Sequence, residues 1–232
     1  MSIPRILPHQ PPPLATWPHS RARFELQASQ ATLLVHDLQQ YFLDHFDRTQ
    51  EPIVSLLRNV QQLLELCRHA NVPVLYTCQP PEQPEAQRGL LTAMWGKGIG
   101  AAPHRAGIEP CVAPQPADHT ITKWRYSAFQ RTPLLGHLQH VNRKQLIVCG
   151  VYAHIGCLAT AMEAFMHDIE VFFVADAVAD FSQQQHLQAL ECVASCCGQV
   201  LSTHEAIRAI GGTALERWQH AAAPAPSPQL GQ

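Results

Sequence analysis

The chain has 232 residues, 16 basic against 18 acidic, with 46% apolar side chains and a formal net charge of −2. That length allows one domain with a substantial core. Near-balanced charge with no run of either sign excludes the electrostatic footprint of a nucleic-acid or anionic-membrane binder, so the expected partner is a small molecule.

Residues 1–28 carry Pro4, Pro8, Pro11, Pro12, Pro13 and Pro18, which block regular ladders and predict an extended arm lying on the domain. No secretory-type apolar stretch opens the chain, and no segment reaches the roughly 20 apolar residues a membrane span needs, which predicts a cytoplasmic protein. The domain proper is expected over 29–212. Ala31–Val35 is a short apolar run of the kind shown by a strand buried on both faces. Ile53, Leu56, Leu57, Val60, Leu63, Leu64 and Cys67 recur at helical spacing, with Pro52 suited to a first turn and Asn71-Val-Pro73 closing the segment.

Val72–Thr77 reads as a second strand. The Pro- and Gly-rich stretch from about 79 to 117 reads as a long loop, which inside a compact domain points to a functional segment or lid. His119–Lys123 and Gln145–Cys149 read as the third and fourth strands. Ile155, Leu158, Met162, Phe165, Met166 and Ile169 predict an amphipathic helix with those side chains as its apolar face. Val171–Ala175 follows as a strand, then a helix over about 183–197 and a strand over Gln199–Ser202. Strand and helix in alternation predict an α/β fold with a parallel sheet covered on both faces. The Ala/Pro-rich tail, 213–232, is expected to be disordered.

The eight cysteines are scattered, several inside apolar runs, and read as reduced core residues. There is no H-E-x-x-H or paired C-x-x-C, and Cys192, Cys196 and Cys197 have no second cluster at zinc spacing, so no metal and no cofactor are expected.

Ligands of open parallel sheets bind outside the carboxyl ends of the strands. Asp37 follows the first strand, Gln79 the second, Lys123 the third and Gly150-Val-Tyr152 the fourth, so four separate segments deliver polar groups to one rim. Each residue alone also has a structural reading: Asp37 as a helix cap, Lys123 and Arg88 as solvated charges, Trp95 and Tyr152 as core aromatics, and His36 and His154 as hydrogen-bonded structural histidines. Asp176 and Asp180 read as loop-tying carboxylates.

Together, Val35-His-Asp-Leu-Gln-Gln-Tyr-Phe42, Tyr76-Thr-Cys-Gln-Pro80, Met94-Trp-Gly-Lys-Gly98, Thr122-Lys-Trp-Arg-Tyr-Ser-Ala-Phe129, Cys149-Gly-Val-Tyr-Ala-His-Ile-Gly-Cys157 and Phe173-Val-Ala-Asp-Ala-Val-Ala-Asp-Phe-Ser182 resemble the isochorismatases, the vinyl-ether hydrolases of the isochorismatase-like superfamily. The resemblance runs in order from about Ile3 to Ile210. It implies a three-layer α/β/α sandwich with a six-stranded parallel sheet, Rossmann-like, and conversion of isochorismate to pyruvate and 2,3-dihydro-2,3-dihydroxybenzoate, usually for catecholate siderophores. By the same resemblance Asp37 is the general acid, Lys123 the active-site lysine, and Gly156 the position that holds a nucleophilic Cys in the amidase branch. Phe42, Gln79, Arg88, Trp95, Tyr126 and Tyr152 match substrate-pocket positions, and the Val151–Tyr152 bond matches a non-proline cis peptide.

Three departures stand out. Lys97 replaces the usual proline of Trp-Gly-Pro-Gly, Cys78 replaces a common alanine, and the Ala/Pro tail stands where many relatives continue into an aryl carrier domain, so no carrier function is expected. Siderophore synthetases are possible partners and a homo-oligomer is expected. The rival substrate is 2-amino-2-deoxyisochorismate, handled by phenazine-pathway relatives; Gln40–Phe46 tilts the reading toward isochorismate. Two further rivals are a Cys157-dependent amidohydrolase, whose thiol a one-residue shift on a helix would turn about 100° away, and a non-catalytic docking domain. Protonating an alkene carbon needs a carboxylic acid, and burial is the expected means of keeping Asp37 protonated, with Lys123 opposing it unless the substrate's carboxylates offset the cation.

Overall fold

Strand β1 (Ala31–His36) is buried at every residue, which is why its sequence is a continuous apolar run rather than an alternation. In the computed structural model, which describes residues 2–211, β1 pairs in parallel with β2 (Val74–Cys78) on one side and β4 (Gln145–Val151) on the other. β3 (His119–Thr122) extends the sheet beyond β2, while β5 (Glu170–Ala179) and β6 (Gln199–Leu201) extend it beyond β4. The order β3-β2-β1-β4-β5-β6 is parallel throughout. Successive connections therefore diverge between β1 and β4, and the crevice outside their carboxyl ends is the place where an open α/β sheet holds its ligand.

Helices cover both faces. On one side α2 (Ile53–His69) buries Ile53, Leu56, Val60, Leu63, Leu64 and Cys67 against the sheet, together with Ile3, Ile6 and Leu26 of the N-terminal arm. On the other lie α6 (Leu134–His140), α7 (Leu158–Met166) and α8 (Gln183–Cys196), packed around Leu34, Leu75, Leu146, Val148, Val171 and Phe173. Removing a side chain of this size from water contributes about 1.5–3 kcal/mol each. The result is the expected three-layer α/β/α sandwich with a six-stranded parallel sheet. The arm, with one 3-10 turn at Leu14–Thr16, is tied down by Ile6 N–H donating to the His45 carbonyl and Arg21 N–H to that of Ala194. The tail over 213–232 lies outside the described residues.

Several expectations are corrected in detail. The stretch from 79 to 117 is not a bare loop: it holds α3 (Glu85–Arg88), α4 (Leu91–Trp95), α5 (Pro103–Ala106) and a 3-10 turn at Pro110–Val112. Single turns of helix bounded by Gly and Pro are too short to show a periodicity. A similarly short helix, α1 (Gln40–Leu43), follows β1. α6 has no counterpart in the sequence reading, since Leu134 and Leu138 give only one apolar repeat.

α7 buries its expected apolar face only in part: Leu158 packs on the core and Ile169, just beyond the helix, is buried. Its buried residues are Thr160, Ala161 and Ala164, whereas Met162, Phe165 and Met166 are 41%, 49% and 72% exposed. Small side chains let the helix lie close on the sheet. β5 is longer than expected, and between its pairs Val148↔Phe173 and Gly150↔Val178 it carries extra residues that break the register with β4. Within that irregularity the Asp176 carboxylate accepts from the backbone and hydroxyl of Thr203, a loop-tying role.

Ser182 caps α8 by accepting from Gln185 N–H. One turn further on, His186 is fully buried with Nε2 on the Ala175 carbonyl, and burial pulls its pKa down to about 4 from 6.5. A depressed histidine leaves the unfolded chain binding the extra proton between pH 6.5 and 4, so stability falls as pH drops through that window. The shift corresponds to about 3 kcal/mol. In urea titrations His186→Gln is expected to lose most of this contribution to the pH slope; an unchanged slope would show that the imidazole is not held neutral.

Candidate active site

The turn that ends β1 presents the first reactive group. Asp37 adopts a left-handed backbone with φ 50°, a conformation Asp tolerates better than most residues, and its buried carboxylate points into the crevice. Thr77, from the end of β2, donates its hydroxyl to Oδ1 at 2.6 Å and accepts the Asp37 N–H at 3.2 Å. Lys123, just past β3, places Nζ 2.9 Å from Oδ2. The lysine backbone continues the ladder by donating to the Cys78 carbonyl, and Nζ also donates to the Arg125 carbonyl at 2.7 Å. Gln79 Nε2 stands 3.4 Å from Oδ2, and the Gln79 backbone is clamped at both ends by the side-chain amide of Gln39.

β4 supplies the opposite wall. The Val151–Tyr152 bond is cis, and a π-type turn over Ala153–Cys157 leads into α7. Tyr152 donates its hydroxyl to the Phe42 carbonyl at 2.8 Å and packs edge-on to Phe42 and Phe181. The turn is fixed by Asp180, which accepts from the His154 backbone, the His154 ring and the Phe181 N–H. Asp180 is thus loop-tying, and His154 structural.

The third wall comes from the α3–α4 segment. Arg88 is 4% exposed, with Nε–H donating to the Gly96 carbonyl at 2.7 Å and Nη1 near Gln83 at 3.3 Å and Gln79 at 3.5 Å. Gly98, at φ 77°, admits the guanidinium: a Cβ there would stand 2.5 Å from Nη1. Lys97 beside it is exposed. Among the described residues no carboxylate pairs with Arg88. Trp95 donates Nε1–H to the Tyr126 hydroxyl at 2.8 Å and packs edge-on to Phe181.

Asp37, Lys123, Gly156, Phe42, Gln79, Arg88, Trp95, Tyr126, Val151 and Tyr152, the ten positions singled out in the sequence, all line one cavity. Also on its wall are Ile3, His36, Tyr41, Leu91, Ile155 and Phe181. Tyr41 and Phe181 fall inside the quoted motifs and could have been found by their neighbours. Ile3 could not, because nothing local in an extended Pro-rich arm says where its side chain ends.

Electrostatics modify the expectation for the acid. Burial alone would push the Asp37 carboxyl up, but the Lys123 ammonium, followed by His36 and the Thr77 hydroxyl, outweighs it and holds the acid below the ordinary carboxylate range. Against the protein's own groups Asp37 is therefore held as a carboxylate, and burial does not by itself keep it protonated. His36 is pulled down to about 4, first by burial, so its ring is neutral at neutral pH, with Nδ1 on the Val151 carbonyl at 2.9 Å.

The cavity holds one carboxylate, Asp37, against two cationic side chains, Lys123 and Arg88, inside a largely apolar and aromatic wall. Such a site suits a small anion with an apolar body. Cys157 does not line it: the thiol is fully buried in the core layer under α7, and burial pushes its pKa far up, which removes the thiolate an amidohydrolase would need. Among the described residues no cluster of three or more His, Cys, Asp or Glu is placed to hold a metal ion, and no helix is long and apolar enough to cross a membrane.

Comparison with known proteins agrees with this geometry. The chain is 45% identical over 203 residues to the isochorismatase of Bacillus subtilis (strain 168), covering 88% of this chain and 65% of that protein, so it spans just under two thirds of that relative's length. It is 40% identical over 209 residues to enterobactin synthase component B of Escherichia coli (strain K12), covering 90% and 73%. Against the phenazine biosynthesis protein PhzD of Pseudomonas fluorescens identity is 42% over 206 residues, covering 88% and 98%. Residues 31–205, from the first residue of β1 past the last strand, match the family model described as the isochorismatase domain, and the chain belongs to the isochorismatase family.

Proposed function

We propose that this chain hydrolyses the enolpyruvyl ether of isochorismate to pyruvate and 2,3-dihydro-2,3-dihydroxybenzoate, with Asp37 as general acid. The observation that carries the reading is the Asp37–Lys123 pair at 2.9 Å in a cavity where position 156 offers no side chain. An acid and a cation without an attacking group suit proton transfer rather than covalent catalysis.

In this mechanism the Asp37 carboxylic acid delivers its proton to the methylene carbon, and the alkene electrons form the new C–H bond. The adjacent carbon becomes an oxocarbenium ion, which the Asp37 carboxylate stabilises across the largely apolar cavity. Water adds to that carbon and loses a proton, and the hemiketal collapses to pyruvate as the ring oxygen takes a proton and leaves. Asp37 must first be protonated, which the Lys123 ammonium opposes. Two substrate carboxylates docked against Lys123 and Arg88 offset that cation, so the acid forms in the complex.

The second reading is the same chemistry on 2-amino-2-deoxyisochorismate, supported by the likeness to the phenazine biosynthesis protein. Against it stands the charge of the wall: among the described residues Asp37 is the cavity's one carboxylate, and it is already paired with Lys123. The likeness to enterobactin synthase component B supports a siderophore pathway, with the product passing to a synthetase partner.

The direct test is pyruvate release from isochorismate by the purified chain, with kcat/KM expected to exceed that for the 2-amino analogue; no release from either would sink the reading. Asp37→Asn is expected to lower kcat roughly 100- to 10,000-fold, and near-normal turnover would remove Asp37 from the mechanism. Because kcat reports the complex and kcat/KM the free enzyme, activity that needs the protonated acid should decline at a higher pH in kcat than in kcat/KM. In Lys123→Met the kcat/KM decline should move upward in pH, since the cation that lowers the acid is gone; an unmoved limb would refute the coupling.

A further inference from the structure

Two glycines on either side of the Val151–Tyr152 bond make room for one residue. Gly150, at φ 115°, lies against the His36 backbone: a Cβ there would stand 2.7 Å from His36 N and closer still to its carbonyl oxygen. Gly156 lies against the ring, where a Cβ would stand 2.9 Å from Nε2, 3.1 Å from Nδ1 and nearer again to Cε1. Unstrained carbon contacts lie at about 3.5–4.0 Å, so either the ring or the added carbon would have to move.

The ring is held in place. Its side chain is 1% exposed, Nδ1 is bonded to the Val151 carbonyl, and its backbone is paired to Thr77 of β2 and Gly150 of β4. Gly156 shares the cavity wall with Asp37 and Lys123, so a side chain at 156 would enter the reaction space.

We propose that His36 is a specificity-determining residue that keeps position 156 bare, its ring filling the seat that a protein nucleophile at 156 would need and so reserving the reacting carbon for water. The functional meaning rests on the ether-hydrolase reading above; the steric interlock does not. It makes residues 36 and 156 a coupled pair: His at 36 demands Gly at 156, and shortening 36 opens a seat for a side chain facing Asp37 and Lys123.

The test is a double-mutant cycle of wild type, His36→Ala, Gly156→Cys and the combination, read by urea unfolding and by iodoacetamide labelling with peptide mapping. In the labelling step the thiol sulfur bonds to carbon as the C–I bond breaks, iodide leaves, and the thiol proton passes to solvent. Gly156→Cys alone is expected to lower the folding equilibrium constant on the order of 100-fold. Adding His36→Ala should raise it again by about tenfold or more, although His36→Ala alone lowers it. The thiol at 156 should then label about tenfold faster in the combination than in the single variant, because the combination seats it in the cavity.

If Gly156→Cys yields no folded protein, Gly156→Ala with and without His36→Ala gives the same comparison through soluble yield. Wild-type stability of the single variant, or strictly additive effects, overturns the interlock. Pyruvate release by the wild type is measured in parallel: failed coupling with intact turnover overturns the interlock alone, whereas lost turnover with intact coupling overturns the ether-hydrolase reading alone.

Discussion

The contact between the Asp37 carboxylate and the Lys123 ammonium is the constraint around which the rest of the site is arranged. Two ions removed from water are costly unless both are paired and their remaining hydrogen-bonding capacity is filled. Thr77 fills it on the acid, and the Arg125 carbonyl on the lysine. These four residues come from, or directly follow, three adjacent parallel strands, so the pair depends on the order β3-β2-β1 more than on any local sequence. A sheet with another order would leave each ion without its partner.

The aromatic and aliphatic wall gives the pair its chemical effect. Tyr152, Phe42, Phe181 and Trp95 interlock edge to face and exclude water from one side of the carboxylate, which strengthens every charge interaction inside. The Tyr152 and Trp95 polar tips are tied to Phe42 O and Tyr126 OH, so the wall is held in one arrangement rather than merely filled. Arg88, pinned by the Gly96 carbonyl, completes the enclosure with a charge that, among the described residues, no carboxylate answers.

Much of this was legible in the sequence because it is local. The apolar run Ala31–Val35 and the seven-position repeat in α2 follow directly from burial and helical period, and the motif around Asp37 and Gly150–Cys157 carries the site. What escaped is what packing decides. In α7 Met162, Phe165 and Met166 point to solvent and Ala161 and Ala164 to the sheet, because close approach rather than hydrophobicity chose the inner face. The place of Ile3 in the cavity wall is set by where a proline-rich arm happens to lie, and the clearance between Gly156 and the His36 ring is a distance no spacing encodes. The opposition between burial and the Lys123 cation at Asp37 was legible from the residue types, but which of the two is larger is set by geometry.

The unanswered guanidinium of Arg88 bears on how a reaction cycle in this cavity ends. A substrate carrying two negative charges on one molecule neutralises both cations at once. In the proposed reaction, cleaving its ether divides those charges between two fragments, and neither fragment alone can compensate Lys123 and Arg88 together. The complex thereby loses its chelate-like hold at the moment the bond breaks, so that the same imbalance that draws the dianion in weakens retention of the halves it becomes.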